Sequence, residues 1–251
     1  MRKIYLIPAL VGLLTFVAAG PLAAQGAVPK QKAAPRAAAA GAAPAGAGAP
    51  AAGATSTAAA ETPAGEDKAA KAIDGFRSAK FGMNEADVRA AMTKDFNAKP
   101  DAIKIQDNAS ELTRSLLLSV PELLPNGGTA ELSYVFGYKS KSLIQVGAVW
   151  SKGTDTAMTP EKLFSNANIL RAHFMGEGFK PDSIAVNMPV AGGIVMFRGS
   201  DAKDRSVILL LQGTFENKEN NQRVLTPTSL LLFYVADAKS PDIFKLPPGQ
   251  F

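Results

Sequence analysis

His173 is the only histidine in this chain, and there is no cysteine. Any acid–base or nucleophilic chemistry must therefore use one imidazole, hydroxyls and carboxylates. A Ser-His-Asp arrangement would have to recruit His173, and no Gly-x-Ser-x-Gly turn presents a matching nucleophile. His173 stands beside Phe174 in a stretch of helical periodicity, where a lone histidine is a structural or surface residue. Thiol catalysis and thiolate metal sites are excluded by composition, and one imidazole cannot make a histidine-rich metal centre. Asp201 and Asp204, with Ser200 and Lys203, have the make-up of a hairpin turn. Calcium takes about six to eight oxygens, more than this spacing offers. No carboxylate pair is singled out for hydrolysis. Gly192-Gly193 reads as a turn or bulge, not a phosphate cradle. The expectation is a protein without catalytic residues, metal or cofactor.

Recognition chemistry is better represented. In the strand-like stretch Ala130–Tyr138, Leu132, Tyr134, Phe136 and Tyr138 share one face at period two. Trp150 ends the next strand on the parity of Ile144, Val146 and Ala148. Aromatic side chains with a polar tip are favoured interface anchors, so Leu132, Tyr134, Phe136, Tyr138 and Trp150 form the expected partner-binding stripe. Core packing is the competing reading of the same stripe. Val207–Leu211, Leu230–Val235 and Leu116–Leu118 are apolar on both faces. Their second face is either covered by other parts of the chain or a protein or lipid site.

The elements that must position these residues follow a long leader. Met1-Arg2-Lys3 is basic, Ile4–Ala19 is apolar, and small residues follow, which is the layout of a secretory signal. The apolar run is about 24 Å long as a helix, short of a bilayer core of about 30 Å, and Pro8 weakens it further. Residues 1–24 are thus expected to be a signal peptide, cut after Ala24 or Gly20, or else an uncleaved anchor. Residues 25–72 are Ala, Pro and Gly with few other types and cannot bury a core, so they read as a disordered linker. Residues 1–72 hold seven Lys/Arg and three Asp/Glu; residues 73–251 hold twenty and nineteen. The folded part is nearly neutral, with no basic stripe for nucleic acid. Membrane contact is expected only through the N-terminal segment, if it is retained.

Within 73–251 the order of elements recurs. Phe76–Phe81 reads as a short strand. A helix capped by Asn84 follows, with Val88, Ala91, Met92 and Phe96 on one stripe. Strands are expected near Ile103–Gln106, Leu112–Val120, Ala130–Tyr138 and Leu143–Trp150. Thr159-Pro160-Glu161 then starts a second helix, with Leu163, Ala167, Leu170 and Phe174 inward. Strands are expected near Ile184–Asn187, Gly193–Arg198, Val207–Gln212 and Leu230–Val235, with Glu216–Thr228 as a long polar loop. Each helix is followed by a matching joint, Lys99-Pro100-Asp101-Ala102-Ile103 and Lys180-Pro181-Asp182-Ser183-Ile184. The fold class is α+β: a tandem repeat of helix plus four-stranded antiparallel meander, about 76–157 and 158–236, then a C-terminal tail, with the helices on one side of the sheet.

Gly82-Met83-Asn84, with Val88 and Met92 at four-residue intervals, resembles the Gly-Met-Thr/Ser segment of small bacterial envelope proteins. These are the small outer-membrane-assembly lipoproteins and the β-lactamase-inhibitor-protein-like fold, the latter a tandem repeat of helical segment plus four strands. The match covers about a dozen residues, and the lipoproteins' N-terminal cysteine is missing here. The resemblance implies a periplasmic binding or scaffold module rather than an enzyme. The expected partner is another envelope protein; a periplasmic carrier of lipid or another apolar ligand is the alternative.

Overall fold

The two helices start where side chains can replace the missing backbone partners of a first turn. In the computed structural model, which describes residues 72–217, 223–246 and Gly249, Asn84 accepts a hydrogen bond from the Asp87 N–H at 3.0 Å and opens α1, Glu85–Phe96. Asn97 closes it in the left-handed region at φ 52°, two residues before the expected stop at Lys99-Pro100. Thr159 caps α2, Pro160–Met175, by accepting from the Lys162 N–H at 3.2 Å, with proline at the first helical position. Residues 1–71 lie outside the described part, and with them the expected signal and nearly all of the expected linker.

Phe76–Phe81 is not one strand. Arg77 takes φ 52°, so the segment folds on itself as β1 (Gly75–Phe76) and β2 (Ala79–Lys80). Four strands follow α1: β3 (Lys104–Asn108), β4 (Thr113–Val120), β5 (Ala130–Phe136) and β6 (Leu143–Ser151). Four follow α2: β7 (Ala185–Val190), β8 (Gly193–Ser200), β9 (Ser206–Asn217) and β10 (Arg223–Val235). The expected loop Glu216–Thr228 is mostly strand, because β9 and β10 pair as far as Asn217 and Arg223. Its centre, 218–222, lies outside the described residues.

The eight strands form one antiparallel sheet in the order β3-β4-β5-β6-β10-β9-β8-β7. Each meander keeps its own strand order, and the two join where β6 pairs with β10, from Ser151 opposite Ser229 to Gln145 opposite Val235.

Register decides which side chains meet on each face. One row runs Leu118, Leu132, Ala148, Leu232, Leu209, Phe197, and a second runs Leu116, Tyr134, Val146, Tyr234, Val207. These side chains share one core cluster with Val88, Ala91 and Met92 of α1 and Leu163, Ala167, Leu170 and Phe174 of α2. α2 lies against β8, β9 and β10. Among the described residues no helix is long and apolar enough to cross a membrane.

Candidate recognition surface

The expected aromatic stripe belongs to the core. Leu132, Tyr134 and Trp150 are wholly buried, and Phe136 is 3% exposed. Their parity is as read, but they share one core cluster with residues of α1 and α2. These four are therefore not available as a partner groove in this structure. Burial pushes the Tyr134 phenol far up, and the Asp95 carboxylate pushes it further. Among the described residues, neither the Tyr134 hydroxyl nor Trp150 Nε1 has a hydrogen-bond partner. Tyr234 is pushed up to about 12, mainly by burial and then by Glu177. Tyr138 lies beyond the end of β5, half-buried, its ring edge-on to Phe244 of the C-terminal tail at 5.5 Å. Its N–H donates to the Asp242 carbonyl at 2.8 Å, and the Asp242 carboxylate accepts from the N–H groups of Lys139 and Ser140. The tail is thus tied down across the β5–β6 turn.

The opposite face of the sheet changes character along its width. Over β3–β5 it carries Lys104, Gln106, Ser115, Ser119, Glu131 and Ser133, with half-buried Leu117 and Val135 among them. Over β8–β10 it carries a second apolar cluster: Val195, Ile208, Leu210, Leu231, Phe233 and Val235. Among the described residues, the partly buried apolar side chains packed around that cluster are Val149, Met188 and Val190 of the strands and Ala238 of the tail, with none from α1 or α2. Gly147 makes room for it. A methyl there would meet Ser133 Oγ at 2.7 Å and the Phe233 ring at 3.3 Å, so the ring lies across the bare backbone of β6. The doubly apolar runs in the sequence pointed to this face; the aromatic stripe drew attention to the other.

A cleft of about 620 Å³ opens where the start of α1, the β3–β4 hairpin and the β5–β6 turn meet, lined in part by Glu85, Asp107, Leu112, Arg114, Phe136 and Lys141. Its two carboxylates are engaged by arginines. Arg114 Nε lies 2.9 Å from Asp107 and its guanidinium 3.9 Å from Glu85, which also receives Arg89 at 2.8 Å. The hydrogen bond from Arg114 holds the Asp107 carboxyl below its usual range. Such exposed pairs fix side-chain geometry more than they add stability.

His173 stands on the outer side of α2, its ring 60% exposed and 3.6 Å from Glu177. No serine–carboxylate arrangement forms around it among the described contacts. The turn at Asp201–Asp204 is a structural clamp. The buried Asp201 carboxylate accepts from the N–H groups of Ile73, Lys203 and Arg205 at 2.8–3.0 Å and from the Arg205 guanidinium. Arg205 also reaches Asp74 at 2.6 Å. Burial pushes the Asp201 carboxyl up, but these donors outweigh it and hold it below its usual value. Among the described residues no three His, Asp or Glu side chains converge as metal ligands would.

Comparison with family models, with curated proteins and with solved structures finds no match to this chain.

Proposed function

We propose that this protein is a non-enzymatic binding or scaffold module of the periplasm that contacts another envelope protein through its sheet. The observation that carries the reading is the apolar cluster on the sheet face to which neither helix contributes a residue. Its six members are themselves no more than 7% exposed, so the contact is made by the half-buried apolar residues around them, Val149, Met188 and Val190. The basic, apolar and small-residue succession at the N-terminus supports export.

The repeat belongs to the same proposal. Each half is a helix followed by a single 3-10 turn at Lys-Pro-Asp and a four-stranded meander, with 3-10 turns at Pro100–Ala102 and Pro181–Ser183. A tandem duplication accounts for that order. Helices on one side leave the other flank for recognition. A carrier of lipid or another apolar ligand is the second reading, because the same apolar sheet face would also seat such a ligand.

Photo-crosslinking in intact cells tests the partner. A benzophenone side chain at half-buried Val149 or Val190 should capture one envelope protein, whereas the same probe at Phe164, 51% exposed on α2, should not. Val190→Lys should abolish capture from Val149 without changing the circular dichroism of the protein. Lipid as the only crosslinked species would replace the scaffold reading with the carrier, and equal capture from Phe164 would remove the sheet as the contact.

A further inference from the structure

Seven described residues other than glycine take a positive φ, and four of them are Asn or Asp, which tolerate it. The remaining three are Arg77, Leu112 and Lys141. Arg77 makes the turn between β1 and β2, whereas Leu112 and Lys141 both line the cleft of about 620 Å³. The two stand at matching places. Leu112, at φ 51°, ends the loop 109–112 between the paired residues Asn108 and Thr113. Lys141, at φ 53°, ends the loop 138–141 between Gly137 and Ser142, where the Gly137 N–H donates to the Ser142 carbonyl at 2.9 Å. Glycine is favoured at such a left-handed loop position. The first hairpin of the second meander has it, Gly192 at φ 74°. Both walls of the cleft therefore keep a side chain where the backbone favours none, and strain of this kind gathers at binding sites.

What these side chains offer defines the ligand. Leu112 is 44% exposed and, with Phe136, gives the cleft an apolar lining. Glu85 and Asp107 are answered by Arg89 and Arg114. The Lys141 ammonium lies 5.4 Å from the centroid of the Tyr138 ring, and among the described residues no carboxylate pairs with it. The cleft thus has one cation to spare beside apolar surface, and its volume falls in the range of small-molecule sites, about 300–1,000 Å³. We propose that it binds a medium-chain organic carboxylate, with the carboxylate on Lys141 and the apolar body against Leu112 and Phe136. The site is separate from the sheet-face contact, since Val149, Met188 and Val190 take no part in its lining.

The test titrates the full-length chain with decanoate and follows amide chemical shifts by NMR. Decanol and decyltrimethylammonium serve as the uncharged and cationic counterparts. Saturable shifts are expected at Leu112, Arg114, Gly137 and Lys141, with decanol binding about tenfold more weakly for want of the ion pair and the cation not binding. Lys141→Gln should lower the affinity for decanoate to that for decanol and leave decanol unchanged. Leu112→Gly should weaken both ligands by about fivefold through lost apolar contact. Its thermal midpoint should not fall, because glycine takes φ 51° without strain. Equal binding of decanoate and decanol, preference for the cation, or an affinity indifferent to Lys141→Gln would each overturn the proposal. So would the absence of saturable shifts at the cleft, shifts confined to Val149, Met188 and Val190, or a lowered midpoint in Leu112→Gly, which would make that side chain a structural one.

Discussion

Asp201 shows how much of this fold hangs on single polar side chains. It collects donors from three backbone N–H groups and one guanidinium, and one of them, the Ile73 N–H, comes from 128 residues away. Asp201→Asn should destabilise the domain by about 3 kcal/mol at pH 7, because Arg205 is left without its buried counter-charge. A carboxyl held low stabilises the fold above its unfolded-state pKa, and that contribution disappears as pH falls through the folded value. The gap between wild type and variant in urea melts should therefore be full at pH 7 and narrow below about pH 4; a constant gap would contradict the clamp. Tyr234 runs the other way. Its phenol stays neutral in the fold to about pH 12, while the unfolded phenol ionises near 10. Stability should fall by about 2–3 kcal/mol between those values, less so in Tyr234→Phe, as followed by denaturation in alkaline buffer. The caps Asn84 and Thr159 were legible in sequence because their partners lie three residues on. The Asp201–Arg205–Asp74 clamp was not, since nothing local says that Asp74 and Ile73 return to the β8–β9 turn.

At the scale of elements, periodicity located both helices and all eight strands of the large sheet, and it placed Leu132, Tyr134, Phe136 and Trp150 on one face, with Tyr138 falling beyond the end of β5. It could not say which face would join the apolar residues of α1 and α2 in one core cluster. That choice depends on the lengths and directions of connections between meanders, which alternation along a single strand does not encode. The stripe therefore turned from interface to core. Trp150→Ala and Tyr134→Ala should each cost about 3–5 kcal/mol in equilibrium unfolding, as large side chains removed from a wholly buried layer do. Retention of wild-type stability would return these residues to the surface. Asn84→Ala should cost about 1 kcal/mol and fray the first turn of α1, visible as faster amide exchange at Glu85–Val88. The Glu216–Thr228 stretch misled for a different reason. Its residues are polar because this end of the β9–β10 ribbon is largely exposed, and a polar ribbon reads like a loop when alternation has no buried side to reveal it.

For the whole molecule, the union of β6 with β10 sets the order in which the chain can be completed. The two strands are separated by residues 152–222, a stretch of 71 residues. A chain emerging N-terminus first at about 5–20 residues per second finishes β6 roughly 4–14 s before β10 begins. During that interval the first meander ends in an unsealed strand with its ladder groups open. A fragment comprising residues 72–157 should therefore self-associate through β6, seen as dimers or larger species by analytical ultracentrifugation, while the whole chain stays monomeric; a monomeric, folded fragment would contradict this. The seam between the halves then acts as a lock closed last. Until it closes, two nascent molecules can exchange halves as readily as one can complete itself, which makes the concentration of unfinished chains, rather than the final stability of the sheet, the quantity that limits its yield.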